Sequence, residues 1–208
     1  MGELIDLAAR REARRLRDDP RPERTRAQFF FDLSCPFSYL AAERIERAFD
    51  DVVWTPAAAS RLGRADTAAV VRCAEERAAA LRLPLVWPER FPAGVSAAMR
   101  VAALAAERGR GAAYVLAATR LAFCGGFDLD DPEILAEAAT ASGLADDEWA
   151  GAAGDSGRDG EIERVGQGLL DAGADRLPAL RIGRALYWGE RRLADGIAAA
   201  RYARVAQL

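Results

Sequence analysis

Gln28-Phe29-Phe30-Phe31-Asp32-Leu33-Ser34-Cys35-Pro36-Phe37-Ser38-Tyr39-Leu40-Ala41 is the stretch on which the reading of this chain turns. Its first half is a short apolar, aromatic-rich run of strand length without polar alternation, which suits a strand buried on both faces. From Pro36 the period changes: Tyr39, Leu40, Ile45 and Ala48 recur on one face of a helix that runs to Phe49. Proline is tolerated in the first turn of a helix, where its missing N–H would have no partner anyway. A strand therefore feeds directly into a helix, and Cys35 stands at the joint.

Working outward, Val52-Val53-Trp54-Thr55-Pro56 reads as a second strand ended by proline, so the opening unit is strand, helix, strand. Such a unit implies a parallel pair with a right-handed crossover. A helical block follows, with helices expected near residues 65–81, 94–108, 112–123, 132–142 and 146–153, the first two separated by prolines 84, 88 and 92. A further helix is expected over 161–172, ending at Gly173. The runs 179–183 and 185–189 around Gly183-Arg184 then predict an antiparallel hairpin, and a closing helix covers 191–205. The expected fold is α/β, a thioredoxin-like order of βαβ and ββα halves separated by a large all-helical insertion. The boundaries are 1–27 for an N-terminal helical extension and linker, 28–60 for the first part, 61–157 for the insertion and 158–208 for the second part. The basic cluster at 10–17 is interleaved with acids and reads as a solvated helix face.

Composition narrows the chemistry more by what is missing than by what is present. The 208 residues carry a formal net charge of -3, which gives no global attraction for nucleic acid or an anionic membrane. The most apolar region is broken by arginines and Glu107, so no membrane span is expected, and the first residues lack a signal-peptide core. A cytoplasmic location is the expectation. There is no histidine, which removes Ser-His-Asp and Cys-His nucleophilic systems and the commonest zinc ligand. The three cysteines, Cys35, Cys73 and Cys124, form no C-x-x-C, so neither a zinc site nor a vicinal dithiol is indicated.

Cys35 is the candidate nucleophile. At a helix N-terminus, free backbone N–H groups and the helix dipole stabilise a thiolate and lower the thiol pKa. Ser34 and Ser38 are the hydroxyls placed to assist. Cys73 and Cys124 fall on amphipathic helices and are expected as small core residues. Trp54 and Trp188 are candidates to line an apolar pocket, as are Trp87, Phe91 and Phe123. The acids Asp128, Asp130 and Asp131 lead a helix as capping groups, and no metal is expected.

Residues 31–41 resemble the active-site segment of the DsbA-like thioredoxin-fold superfamily. The Ser-Tyr-Leu-Ala continuation is similar to its 2-hydroxychromene-2-carboxylate isomerase and kappa-class glutathione transferase branch. Residues 126–135 resemble that family's late helical segment, and Leu177-Pro178 sits where its cis-proline loop falls. The resemblance implies an enzyme with a monothiol Cys-Pro-Phe-Ser centre, because Ser38 takes the place of the second cysteine of dithiol oxidoreductases and excludes an intramolecular disulfide cycle. It implies thiol-disulfide or glutathione-linked chemistry at Cys35, or glutathione-dependent isomerisation or conjugation of an aromatic compound. A noncatalytic binding module is the third possibility. Glutathione is the implied cofactor, held by Pro36, Phe37, Leu177, Pro178, Gly189, Glu190 and Arg191, and a homodimer is the implied assembly. The chain departs from the branch in four places. Cys35 stands where serine is usual, Arg176 where glycine is frequent, and Arg191 in place of the acid that opens the last helix; residues 60–67 lack the Gly-Asn-x-Pro segment.

Overall fold

The computed structural model describes residues 26–49, 51–63 and 66–205. The helix expected within the N-terminal extension, with its basic cluster, lies outside the described residues. A four-stranded sheet in the order β2-β1-β3-β4 organises the chain: β1 (Ala27–Phe31), β2 (Val52–Pro56), β3 (Ala179–Ile182) and β4 (Ala185–Trp188). Helix α1 (Pro36–Ala48) is the crossover between β1 and β2, which pair in parallel with Phe29 opposite Trp54. Strand β3 returns antiparallel to β1 with Leu180 opposite Phe29, and the Gly183 turn brings β4 back beside β3. This is a thioredoxin-like sheet with the expected βαβ and ββα halves.

Between the halves come α2 (Thr67–Leu81), α3 (Ser96–Glu107), α4 (Gly111–Phe123), α5 (Pro132–Ala141) and α6 (Asp146–Gly154). Helix α7 (Asp159–Asp171) leads into β3, and α8 (Glu190–Val205) closes the described chain. Helix α8 starts at Glu190, directly after Gly189, rather than at residue 191. Gly189 has φ +78°, in the left-handed region that a side chain resists, so the tight entry into α8 requires glycine here. Its N–H donates to the Pro178 carbonyl at 2.8 Å, which ties the start of α8 to the loop before β3.

Alternation along β1 explains why its three phenylalanines are contiguous. Successive strand side chains point to opposite faces. Phe29 and Phe31 enter the larger core with Trp54, Leu180, α1 and the insertion helices, while Phe30 enters a second core with Leu169, Leu177 and Ala179. Burying both faces lets an apolar run form a strand with no polar side. Trp54 meets Phe29 edge-on at 5.0 Å between centroids, an arrangement favoured by the ring quadrupoles. It is core, not pocket, because β2 directs it inward, and Gly111 at the start of α4 allows the backbone to pass against its Cβ.

Ion pairs join the insertion to the rest. Glu43 of α1 is buried and receives both Nε and Nη2 of Arg120 of α4 at 2.6 and 2.8 Å. Arg100 of α3 holds Asp159 at the start of α7 and also donates to the Ala153 carbonyl. The first contact ties the helical block to the helix that follows Cys35, and the second ties it to the helix that leads into β3.

Candidate active site

Cys35 is the N-cap residue of α1, with extended backbone (φ −94°, ψ 113°), and Pro36 follows in the first turn. Its carbonyl accepts the Ser38 N–H at 2.9 Å, and its own N–H donates to the Asp32 carbonyl at 3.1 Å. These bonds hold the turn so that Sγ lies 3.8 Å from the Leu177 carbonyl, to which the S–H donates. The Leu177–Pro178 bond is cis. Ser38 is fully buried beneath the cysteine, and its hydroxyl accepts the Asp32 N–H at 3.2 Å.

The expected activation of Cys35 does not hold in this arrangement. Burial pushes the thiol up to about 11, because a thiolate in such dense surroundings loses its hydration. The Ser38 and Phe37 N–H groups and the Ser38 hydroxyl act in the predicted direction, favouring the thiolate, but burial outweighs them. The negative charge of Asp32 adds to the rise. The residue as a whole is half-buried.

A cleft of about 480 Å³ lies beside the cysteine. Phe37 of α1 and Cys73 and Arg77 of α2 form one side; Arg176 and Leu177 form the loop side; Trp188 and the first residues of α8 form the end. Four arginines line it, Arg77, Arg176, Arg191 and Arg192, against the carboxylates of Asp175 and Glu190. The guanidinium of Arg192 lies 5.1 Å over the Trp188 ring, a cation-π contact. The cleft therefore combines an aromatic wall, excess positive charge and the N-terminal end of α8, where the helix dipole favours an anion.

Placing the sequence candidates on this geometry separates them. Pro36, Phe37, Leu177, Pro178, Trp188, Gly189 and Arg191 gather around the cleft and the cysteine with Ser34 and Ser38. Glu190 takes a different role from the expected ligand contact. Its carboxylate is buried and fully engaged by Arg44 of α1 and by Nε and Nη2 of Arg77 of α2, the last at 3.0 Å, so it is an internal anchor. Cys73 is exposed on the cleft wall rather than in the core, since it faces away from the buried Ala74 and Ala78 stripe of α2. Cys124, at the end of α4, is half-buried and 3.1 Å from the Tyr39 hydroxyl. That hydroxyl gives its one proton to the Pro84 carbonyl at 2.8 Å, which leaves the Cys124 S–H as donor to Tyr39.

Trp87 meets Phe91 at a tilt and Phe123 edge-on, and Phe123 stacks on Tyr39, none of the four lining the cleft. Asp131 caps α5 by accepting the Glu133 N–H, and Asp128 pairs with Arg90. Among the described residues, no group of acids and cysteines is arranged to hold a metal, and no helix is long and apolar enough to cross a membrane.

Sequence reasoning missed Asp32, Arg44, Arg77 and Cys73. The i, i+4 spacing of Cys73 and Arg77 is the one signal that could have linked two of them. Nothing local distinguishes Arg44 from the other arginines of a chain whose basic residues are all arginine.

Comparison with solved structures returns the same architecture. A 2-hydroxychromene-2-carboxylate isomerase superposes with a TM-score of 0.73 at 18% identity, covering 87% of this chain and 96% of its own. A probable DsbA oxidoreductase from Streptomyces coelicolor gives 0.64 at 22% identity, covering 84% and 88%. A putative protein disulfide isomerase from Nitrosomonas europaea gives 0.64 at 16% identity, covering 88% and 98%. At these identities the likeness is one of fold. No curated protein matches the sequence. The family model of the DSBA-like thioredoxin domain matches residues 27–195. With the sheet order, the cysteine at the head of α1 and the cis-proline loop facing it, the chain belongs to the DSBA-like thioredoxin domain family.

Proposed function

We propose that this protein is a thiol-dependent enzyme that binds a small anionic thiol, glutathione being the type, in the cleft beside Cys35. The observation that carries the reading is the junction of three features: the Cys35 sulfur at a helix N-terminus, the Leu177 carbonyl opposite it, and the arginine-rich, Trp188-walled cleft that its neighbours Phe37 and Leu177 line. The backbone at Leu177 supports pairing with a peptide-like ligand, in the manner of an added strand. The excess of arginine supports recognition of carboxylates. Arg191 contributes there as an anion partner rather than a partner for an amine.

The protonated state of Cys35 favours ligand-sulfur chemistry of the isomerase or transferase type. The neutral S–H, turned from the Leu177 carbonyl, donates a hydrogen bond to the ligand's thiolate, which adds to the electron-poor carbon of a conjugated C=C bond as the π electrons move to the conjugated carbonyl. These electrons take up a proton from water in a conjugate, or return after bond rotation to expel the ligand thiolate unchanged in isomerisation. Neither route changes the oxidation state of Cys35. The Phe37 and Ser38 N–H groups aimed at the sulfur favour a second reading, monothiol exchange. In it the Cys35 thiolate attacks a disulfide, one sulfur leaves as a thiolate, and a second thiol resolves the mixed disulfide.

Cys35→Ser separates the two. A glutathione-dependent isomerisation or conjugation that persists in the serine variant supports ligand-sulfur chemistry; loss of mixed-disulfide formation together with all activity supports exchange. Absence of calorimetric heat and of any adduct at millimolar glutathione overturns the glutathione reading in both forms.

A further inference from the structure

We infer that Asp32 is a positioning residue for Cys35: its carboxylate pins the active-site turn, and its negative charge opposes a second negative charge on the sulfur. This deepens the reading of Cys35 as the reacting group and rests on it.

Asp32 is buried, and almost every polar atom it owns is spent on the turn that carries the cysteine. Its Oδ1 accepts both the N–H of Ser34 at 2.8 Å and the hydroxyl of Ser34 at 2.7 Å. Its Oδ2 accepts the N–H of Ala59, beyond β2, at 2.8 Å. Its carbonyl accepts the Cys35 N–H, and its N–H donates to the Ser38 hydroxyl. Both carboxylate oxygens thus meet donors, as a carboxylate requires; an amide would set its NH₂ against another donor. The N–H that Ser38 accepts also orients that hydroxyl, leaving its proton free to point at the cysteine sulfur.

The other groups around the sulfur are neutral or already paired. From α1 come the N–H groups of Phe37 and Ser38 and the Ser38 hydroxyl; from the cis-proline loop comes the Leu177 carbonyl. Of the cleft charges, Arg176 is paired with Asp175, and Arg77 shares Glu190 with Arg44, while Arg191 and Arg192 stand at the α8 end of the cleft and do not bear on the thiol. Asp32 is the charged group that bears on the thiol, and a like charge nearby disfavours ionisation. One side chain therefore holds the turn that aims the sulfur and adds to the burial that keeps it protonated.

The experiment is residue-resolved alkylation of the full chain across pH, read by mass spectrometry with exposed Cys73 as internal reference. Asp32→Asn should lower the Cys35 midpoint by about one unit, raising its alkylation rate at neutral pH about tenfold. Ser34→Ala keeps the charge and removes one donor that compensates it, so its midpoint should stay or rise. An unchanged or higher midpoint in a cooperatively melting Asp32→Asn overturns the inference. So do equal downward shifts in the two variants, which would mean that loosening the turn is all that matters. Should Asp32→Asn fail to fold, a lower midpoint in Ser34→Ala overturns it alone. Failure of glutathione to bind the wild type would sink the proposed function while leaving this titration readable.

Discussion

Replacing Glu190 by glutamine tests whether that residue is an anchor of the fold. In the native site Oε1 meets Arg44 and Arg77, and Oε2 meets the Nε of Arg77. Glutamine keeps one acceptor and turns the other into a donor facing a guanidinium, while two arginines lose their counter-charge. Removing one member of a fully buried pair costs about 3–5 kcal/mol. Here the Glu190 side chain is 3% exposed but Arg44 and Arg77 are 26% and 25% exposed, so water compensates part of their loss. The expected destabilisation is about 2–3 kcal/mol. For a chain of this length that lowers Tm by roughly 5–10 °C, with the urea midpoint falling at an unchanged m-value. A double-mutant cycle with Arg77→Gln should return a coupling of about 1 kcal/mol or more. A Glu190→Gln stability within about 0.5 kcal/mol of wild type, with glutathione binding lost, would refute this reasoning and return Glu190 to the ligand.

Four further outcomes follow from the structure. The wild-type Cys35 thiolate, followed by ultraviolet absorbance or alkylation, should titrate near 11, and a midpoint below 8 would contradict the dominance of burial. Because the folded state then holds a proton that the unfolded thiol releases from about pH 9, stability should fall as pH rises through about 9 to 11, by about 2–3 kcal/mol. Buried Tyr39 and Tyr114, whose hydroxyls are also pushed up by burial, act in the same direction at higher pH. At neutral pH a bulky maleimide should label Cys73 first, with Cys124 and Cys35 behind it, and preferential labelling of Cys124 in intact protein would place Cys73 elsewhere. Gly189→Ala should cost about 1 kcal/mol in chemical denaturation, since φ +78° disfavours a Cβ that would also press on Arg176; an unchanged midpoint would show that the turn can relax.

Much of the architecture was legible because local signals agreed along the chain. The Phe29-Phe30-Phe31 run could be satisfied only by a strand with cores on both faces, Pro36 marked the first turn of α1, and Gly183 marked the hairpin. These signals act over a few residues, so the sequence carries them. The placement of Cys35 at the helix start and the excluded C-x-x-C cycle were legible for the same reason.

What a buried group experiences is a property of three-dimensional neighbours. The helix end at Cys35 favours a thiolate, yet burial and Asp32 reverse the outcome, and neither the burial nor the direction of that carboxylate can be read from spacing. Glu190 is adjacent in sequence to the predicted anion contact at Arg191, but Arg44 and Arg77, 146 and 113 residues away, claim its carboxylate. Trp54 and Cys73 exchanged their expected places because the pairing of β2 with β1 and the packing of α2 decide which side of an element faces the core. Local residue patterns set the order of the elements, the thiol at the head of α1 and the chemistry that a histidine-free chain forgoes. That this thiol rests protonated beside an arginine-lined cleft comes from packing, because desolvation and charge pairing are summed over residues that the chain brings together from opposite ends.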